Sequence, residues 1–236
     1  MVFFGTGRYL GARDRDDVSQ QSLYGIWDYG DDSDDGEYLG QLADRSSGRL
    51  SSGLFLVPKR IAEETVSDGA ATRRLGVDQI DFDMVEDRED SDGISANNES
   101  AVQQDNPKQC AGWFIDFPTT ADASTASAER VVGDVTIRDG KIIVASYVPD
   151  NQPCGGNGSS WLYVLAACTG DSPLDSKGKP LLSRRYPGRI GNRPMIVKDA
   201  ANPRRDLILL GDQSGGIQAL EMTGENWGKV YWWQSR

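Results

Sequence analysis

Asp31, Ser33 and Asp35 alternate along the chain and Gly36 follows, like the first half of an EF-hand loop, in which oxygen ligands at every second residue converge on a hard cation and a Gly makes the turn. Leu42 occupies the position where such a loop needs its bidentate Glu. Asp31, Ser33 and Asp35 therefore stand as a calcium candidate, weighed against a solvated acidic turn. Asp90, Asp92 and Gly93 offer the same residue types with no scaffold to hold ligands in place. The run CGGNGSS looks like a phosphate-cradling loop, but it lacks the Lys-Ser/Thr ending and leads into a strand instead of a helix, so it reads as a hairpin turn.

The three Cys, at 110, 154 and 168, leave at least one thiol over, and both a single disulfide and three reduced thiols fit the count. Cys154 sits in a turn while Cys168 follows the returning strand, too far along for the two sulfurs to meet unless the turn folds back. Cys110 with Cys168 is the better pair. The chain contains no His, which removes Ser-His-Asp and Cys-His nucleophile pairs and His-ligated zinc. An enzyme here would have to work with carboxylates, Lys or Tyr, and no such constellation stands out, so the reading is non-enzymatic.

A net charge of -11 over 236 residues, with Arg73-Arg74, Arg184-Arg185 and Arg204-Arg205 scattered, excludes a phosphate backbone as partner. No apolar run is long enough to cross a bilayer as a helix, and the expectation is a strand that begins at Val2 with no signal peptide ahead of it.

The elements that must position these residues are strands. VFFGTGRYLG with QSLYGIWD, KIIVASYV with SWLYVLA, and DLILLG with IQALEMT read as three copies of one hairpin. The first strand of each copy is nearly all apolar, as where both faces are covered. GWFIDF, the runs of ERVVGDVTIRDGKIIVASYV and SWLYVLA read as one four-stranded meander with a tight Asp139-Gly140 turn. RYPGRIGNRPMIVKD supplies outer-strand material to the third copy, LFLVPKRI and the stretch from Leu75 to Val85 add a strand each, and residues 86–109 form an acidic loop insertion. AACTGDSPL and ALEMTGENW each place a Thr-Gly turn after a strand, and Ala219 to Trp227 resembles the tryptophan-docking repeat of quinoprotein-type propellers. Trp227, Tyr231, Trp232 and Trp233 read as packing between blades rather than as a carbohydrate or peptide surface. The fold expected is all-β, a β-propeller with antiparallel four-stranded blades, against an ordinary antiparallel sandwich. With about three blade cores and a ring needing at least four, residues 1–236 make an incomplete ring.

FGTGRYLG followed by QQSLYGIWD, CAGWFIDF, ERVVGDV and VPDNQPCGGNGSSWLYVLAACTG together resemble the C-terminal propeller domain of the PilY/PilC type IV pilus biogenesis factors and tip adhesins. The resemblance implies a cell-surface protein at the tip or base of type IV pili. It implies pilus proteins as partners, including a chain that supplies the remaining blades. The family's Asp-alternating calcium loop ordinarily precedes the FGTG strand, and the family's adhesive module has no counterpart here. A quinoprotein-like propeller enzyme and a structural subunit of another extracellular filament are the alternatives.

Overall fold

A computed structural model describes residues 1–7, 14, 17–27, 40–52, 54–65, 71–76, 110–120, 127–150, 158–174, 178–188, 194–202, 205–211 and 216–223. The elements bounded within them are all β-strands, and no helix among the described residues is long and apolar enough to cross a membrane. Asp31, Ser33, Asp35, Cys154, residues 86–109, Trp227, Tyr231, Trp232 and Trp233 lie outside the described residues.

The first sheet contains β1 (Val2–Gly5), β2 (Ser22–Ile26), β3 (Leu42–Asp44), β4 (Arg49–Leu50), β5 (Phe55–Lys59) and β8 (Cys110–Asp116), in the order β1-β2-β8-β5-β4-β3. The second contains β6 (Ile61–Thr65), β7 (Ala71–Leu75), β11 (Arg130–Val131), β12 (Thr136–Arg138), β13 (Lys141–Val148), β14 (Ser159–Ala166) and β15 (Ser183–Pro187). Its order is β11-β13-β14-β15-β7-β6, with β12 also on β13. The third is β16 (Met195–Lys198), β17 (Arg205–Gly211) and β18 (Ile217–Thr223), and β9 (Thr119–Thr120) pairs with β10 (Ser127–Ala128).

All three expected hairpins form: Val2 faces Ile26, Val148 faces Ser159 and Gly211 faces Ile217. MIVK joins β17 as the sequence predicts, whereas the RYP that begins the same stretch ends β15 and pairs with β14 in the second sheet. The Asp139-Gly140 turn has φ 51° and 66° at its central residues and sets Arg138 opposite Lys141. Two positive φ values between two paired strands define a type I′ turn, whose twist matches that of the strands.

Three expectations are corrected. GWFIDF does not open the β13 meander; as β8 it lies between β2 and β5 in the first sheet. β1 is not covered on both faces but is an edge strand with Val2 52% and Phe4 41% exposed. The sheets are not all four-stranded and antiparallel, because β5 pairs β8 in parallel. Parallel neighbours need a long crossover, and here it runs through β6 and β7, which join the second sheet.

The three sheets stack in series. Leu23, Trp113 and Ile115 of the first pack on Ile142, Val144, Trp161, Tyr163 and Leu165 of the second. On the opposite face of those same two strands, Ile143, Leu162 and Val164 meet Ile208, Leu210 and Met222 of the third. The near-continuous apolar sequences of β13 and β14 follow from this position, since these two strands offer neither face to water.

Polar groups fix the stacking. Trp113 is fully buried, and its indole Nε1 donates to the Ala167 carbonyl at 3.0 Å. The ring lies against Gly25 and Gly170, where a Cβ would stand 2.4 and 2.6 Å from ring carbons. Lys59, its side chain wholly buried, reaches Asp171 at 2.9 Å and so ties β5 to the turn that follows β14. Between the second and third sheets, the buried Asp206 takes Lys198 at 2.7 Å and Arg138 at 3.2 Å. Burial pushes the Asp206 carboxyl up, and Lys198 and Arg138 more than offset that, holding it below the ordinary 3.8.

Candidate protein-interaction face

The face of the first sheet that points away from the second carries the most chemistry at the surface. Phe4, Tyr24 and Phe114 stand directly opposite one another across β1, β2 and β8. Their rings form a ladder, with Phe4 and Tyr24 centroids 5.1 Å apart at 19° and Tyr24 and Phe114 5.9 Å apart at 22°. Directly opposed residues in neighbouring strands share one face of the sheet, so three aromatics in register have little choice but to stack. Phe114 is itself buried, in one small core with Leu50, Leu56 and Ala111, and Tyr24, Ile26, Leu42 and Leu54 pack against that core.

Arg45 closes the ladder. Its guanidinium carbon lies 5.4 Å from the Phe114 ring centroid. Arg45 Nε donates to Asp116 Oδ2 at 3.0 Å, and Nη2 donates to Asp116 Oδ1, to Ser22 Oγ at 2.5 Å and to Tyr24 Oη at 3.2 Å. Hydrogen bonding to Asp116 pushes the guanidinium pKa further up, so its charge is permanent. The β3–β4 turn holds the residue in place. Asp44 Oδ1 accepts from Ser46 Oγ at 2.7 Å and from the Ser46 N–H at 2.9 Å, Oδ2 accepts from Ser47 Oγ at 2.7 Å, and these bonds, the Ser46 hydroxyl's first, keep the Asp44 carboxyl below its ordinary value.

Phe114 is buried, so what a partner can reach is Phe4, 41% exposed, the half-buried Tyr24 and the pinned Arg45, side by side at the edge strand β1, the residue types of a protein-binding hot spot. Phe and Tyr supply area at low entropic cost, and Arg45 is already ordered before any partner arrives. The alternation of Phe4, Tyr24 and Phe114 within their strands is visible in the sequence, whereas Arg45 reaches this face only through the fold.

A second polar cluster lies between the first two sheets. Arg73 Nη1 donates to Glu129 Oε2 at 2.5 Å and to Tyr163 Oη, Tyr163 Oη donates to Glu129 Oε1 at 2.7 Å, and Ser146 Oγ donates to Glu129. Arg73 also lies 3.7 Å from the centroid of the Trp161 ring. Burial, then the Glu129 charge, pushes the Tyr163 hydroxyl well above 10.0. Arg73, Glu129 and Tyr163 are almost entirely shielded from solvent, so the cluster is an internal clasp.

The sequence candidates fare as follows. Among the described residues no three acidic or cysteine side chains come together as a ligand set, and the Asp31, Ser33, Asp35 candidate lies outside them. Cys110 and Cys168 are held as thiols rather than as the expected pair. Cys110 is buried, and its Sγ lies 3.5 Å from the Gly112 carbonyl of its own strand; Trp113, not Cys110, is what β8 presents to the turn carrying Cys168. Burial raises the half-buried Cys168 thiol above its ordinary value. A tryptophan does dock against a Thr-Gly turn, but at Thr169-Gly170, and it comes from the neighbouring sheet as Trp113.

No family model and no solved structure matches the chain. The sequence is 27% identical over 172 residues to the type IV pilus biogenesis factor PilY1 of Pseudomonas aeruginosa, in strains PAO1 and PAK, covering 72% of this chain and 12% of that protein. It is 24% identical over 193 residues to the PilY1 homolog of Xylella fastidiosa strain Temecula1, covering 81% of this chain and 10% of that protein. These matches support a PilY1-like relationship. The chain spans about a tenth of the length of the curated relatives it matches.

Proposed function

We propose, from the similarity to PilY1, that this chain is a non-enzymatic module of a type IV pilus assembly or tip protein, acting at the cell surface through protein contacts. The observation that carries this reading is a match running through 172 residues, most of the chain. In this reading the three stacked sheets are successive parts of an incomplete β-propeller. The remaining blades come from a partner chain or from further sequence of a longer protein. The partner seats on the first sheet, where the Phe4–Tyr24–Phe114 ladder, Arg45 and the β1 edge lie together. Phe4 and Tyr24 offer the partner apolar side-chain contacts, and Arg45 offers an ordered charge beside them. Calcium at Asp31, Ser33 and Asp35 belongs to the same proposal.

The test is affinity purification of the chain from its own cells, with and without a calcium chelator, beside a Phe4→Asp/Arg45→Ala variant. The expected result is a pilus protein in stoichiometric amount with the unaltered chain, and at least tenfold less with the folded variant. Recovery of no pilus protein would sink the pilus reading, and equal recovery with both would remove the aromatic face as the site.

A further inference from the structure

Natural sheet edges are blunted by shortness, by Lys or Pro, or by bulges, because an unblunted edge pairs with whatever strand it meets. The described edges here follow that rule with one exception. β1 has four residues; β3 has three, with a register shift in its pairing and Asp44 at its end. β6 reads IAEET with two Glu, β11 and β12 have two and three residues, and β16 is four residues ending in Lys198. β18 is different. It runs seven residues, IQALEMT, without Pro, Lys or Arg, and its register with β17 is unbroken from Arg205–Thr223 to Gly211–Ile217.

Among the described residues β18 pairs on one side only, in the order β16-β17-β18. The outer face of this sheet is apolar as well, with Met195 61% and Ile217 75% exposed and Leu207 and Leu209 half-buried.

We infer that β18 pairs antiparallel with β18 of a second copy of this chain, making one six-stranded sheet across a two-fold axis. The axis passes at Leu220, so that residue 219 of each copy stands opposite residue 221 of the other, 218 opposite 222, and 217 opposite 223. This register sets the strand's single charge, Glu221, against Ala219, whereas an axis at Glu221 would bring two carboxylates face to face. A strand that opposes itself without a like-charge pair is self-complementary. An isologous pairing also closes at two copies instead of propagating. The inference does not depend on the pilus reading.

Sedimentation velocity across a concentration series, on the full chain, tests it with two variants. Ala219→Lys places an ammonium group opposite Glu221 of the other copy at both ends of the pairing; the double variant A219K/E221K places ammonium opposite ammonium. Both make the acidic chain less negative, so general repulsion would predict tighter association for both. The register predicts a dimer for the unaltered chain, a lower dissociation constant for A219K, and one raised about tenfold for A219K/E221K. Circular dichroism checks that each variant folds, which the exposure of Ala219 leads one to expect. Hydrogen exchange at β18 should slow as concentration rises. An unaltered chain that stays monomeric overturns the inference, and slow exchange in that monomer would mean its own sequence covers the edge. A pair of variants that move together overturns the register.

Discussion

The Trp113 indole serves two sheets at once: its ring fills the space between Gly25 and Gly170, and its N–H satisfies the Ala167 carbonyl at 3.0 Å. Trp113→Ala should cost about 3–5 kcal/mol from lost burial and the cavity left behind. Trp113→Phe keeps most of the volume and leaves that carbonyl unpaired, for about 1–3 kcal/mol. Urea denaturation of the two variants measures both, and a Trp113→Phe variant as stable as the unaltered chain would show that the hydrogen bond contributes nothing. The sequence announces the turn by its Thr-Gly pair, yet the natural choice of docking residue there is a Trp nearby in the chain, such as Trp227. The actual one lies 57 positions before Gly170, in another sheet, and no local pattern carries that information. Arg45 was illegible for the same reason. An Arg in a Ser-rich turn reads as a solvated charge until the fold brings Asp116 within 3.0 Å of it.

Strands and hairpins were legible because alternation and turn chemistry are local: the three hairpin pairings and the type I′ turn at Asp139-Gly140 follow from them directly. Which strand lies beside which hairpin did not follow. β8 and β13 have equally apolar sequences, and nothing in CAGWFID distinguishes a place between β2 and β5 from one beside β13. The junction of β12 with the third sheet is electrostatic and therefore acid-sensitive. Asp206 titrates below its ordinary 3.8 in the fold, so its stabilisation is complete above that value and fades as pH falls through the lower folded value. Asp206→Asn should flatten the acid limb of the stability profile below 3.8 and lower stability at neutral pH. Urea midpoints measured across acid pH read this, and an unchanged acid limb would mean other carboxylates govern it.

The described residues form a stack in which β13 and β14 of the middle sheet are buried on both faces, and the polar clasp of that sheet sets the opposite pH limit. Tyr163 is held neutral well above 10.0, so above that pH the folded chain keeps a proton the unfolded chain gives up, and stability falls as pH rises further. Tyr163→Phe should abolish this alkaline slope while lowering stability near neutrality through the lost partners of Arg73 and Glu129; thermal melts from about pH 8 to 11 at ~0.5 unit steps would show it. Layer order was only partly legible: the sequence shows that stacked sheets are needed, whereas the route of the chain between them is a tertiary property. That route divides the molecule unevenly. Because β5 ends at Lys59 in the first sheet and β6 begins at Ile61 in the second, those two layers share one interwoven stretch of gene, and a crossover within it would leave both incomplete. The third sheet is written in a single uninterrupted passage from Met195 to Thr223. Recombination that exchanged that passage between relatives would leave the other two layers intact only if it kept Asp206 and the apolar residues that meet the second sheet.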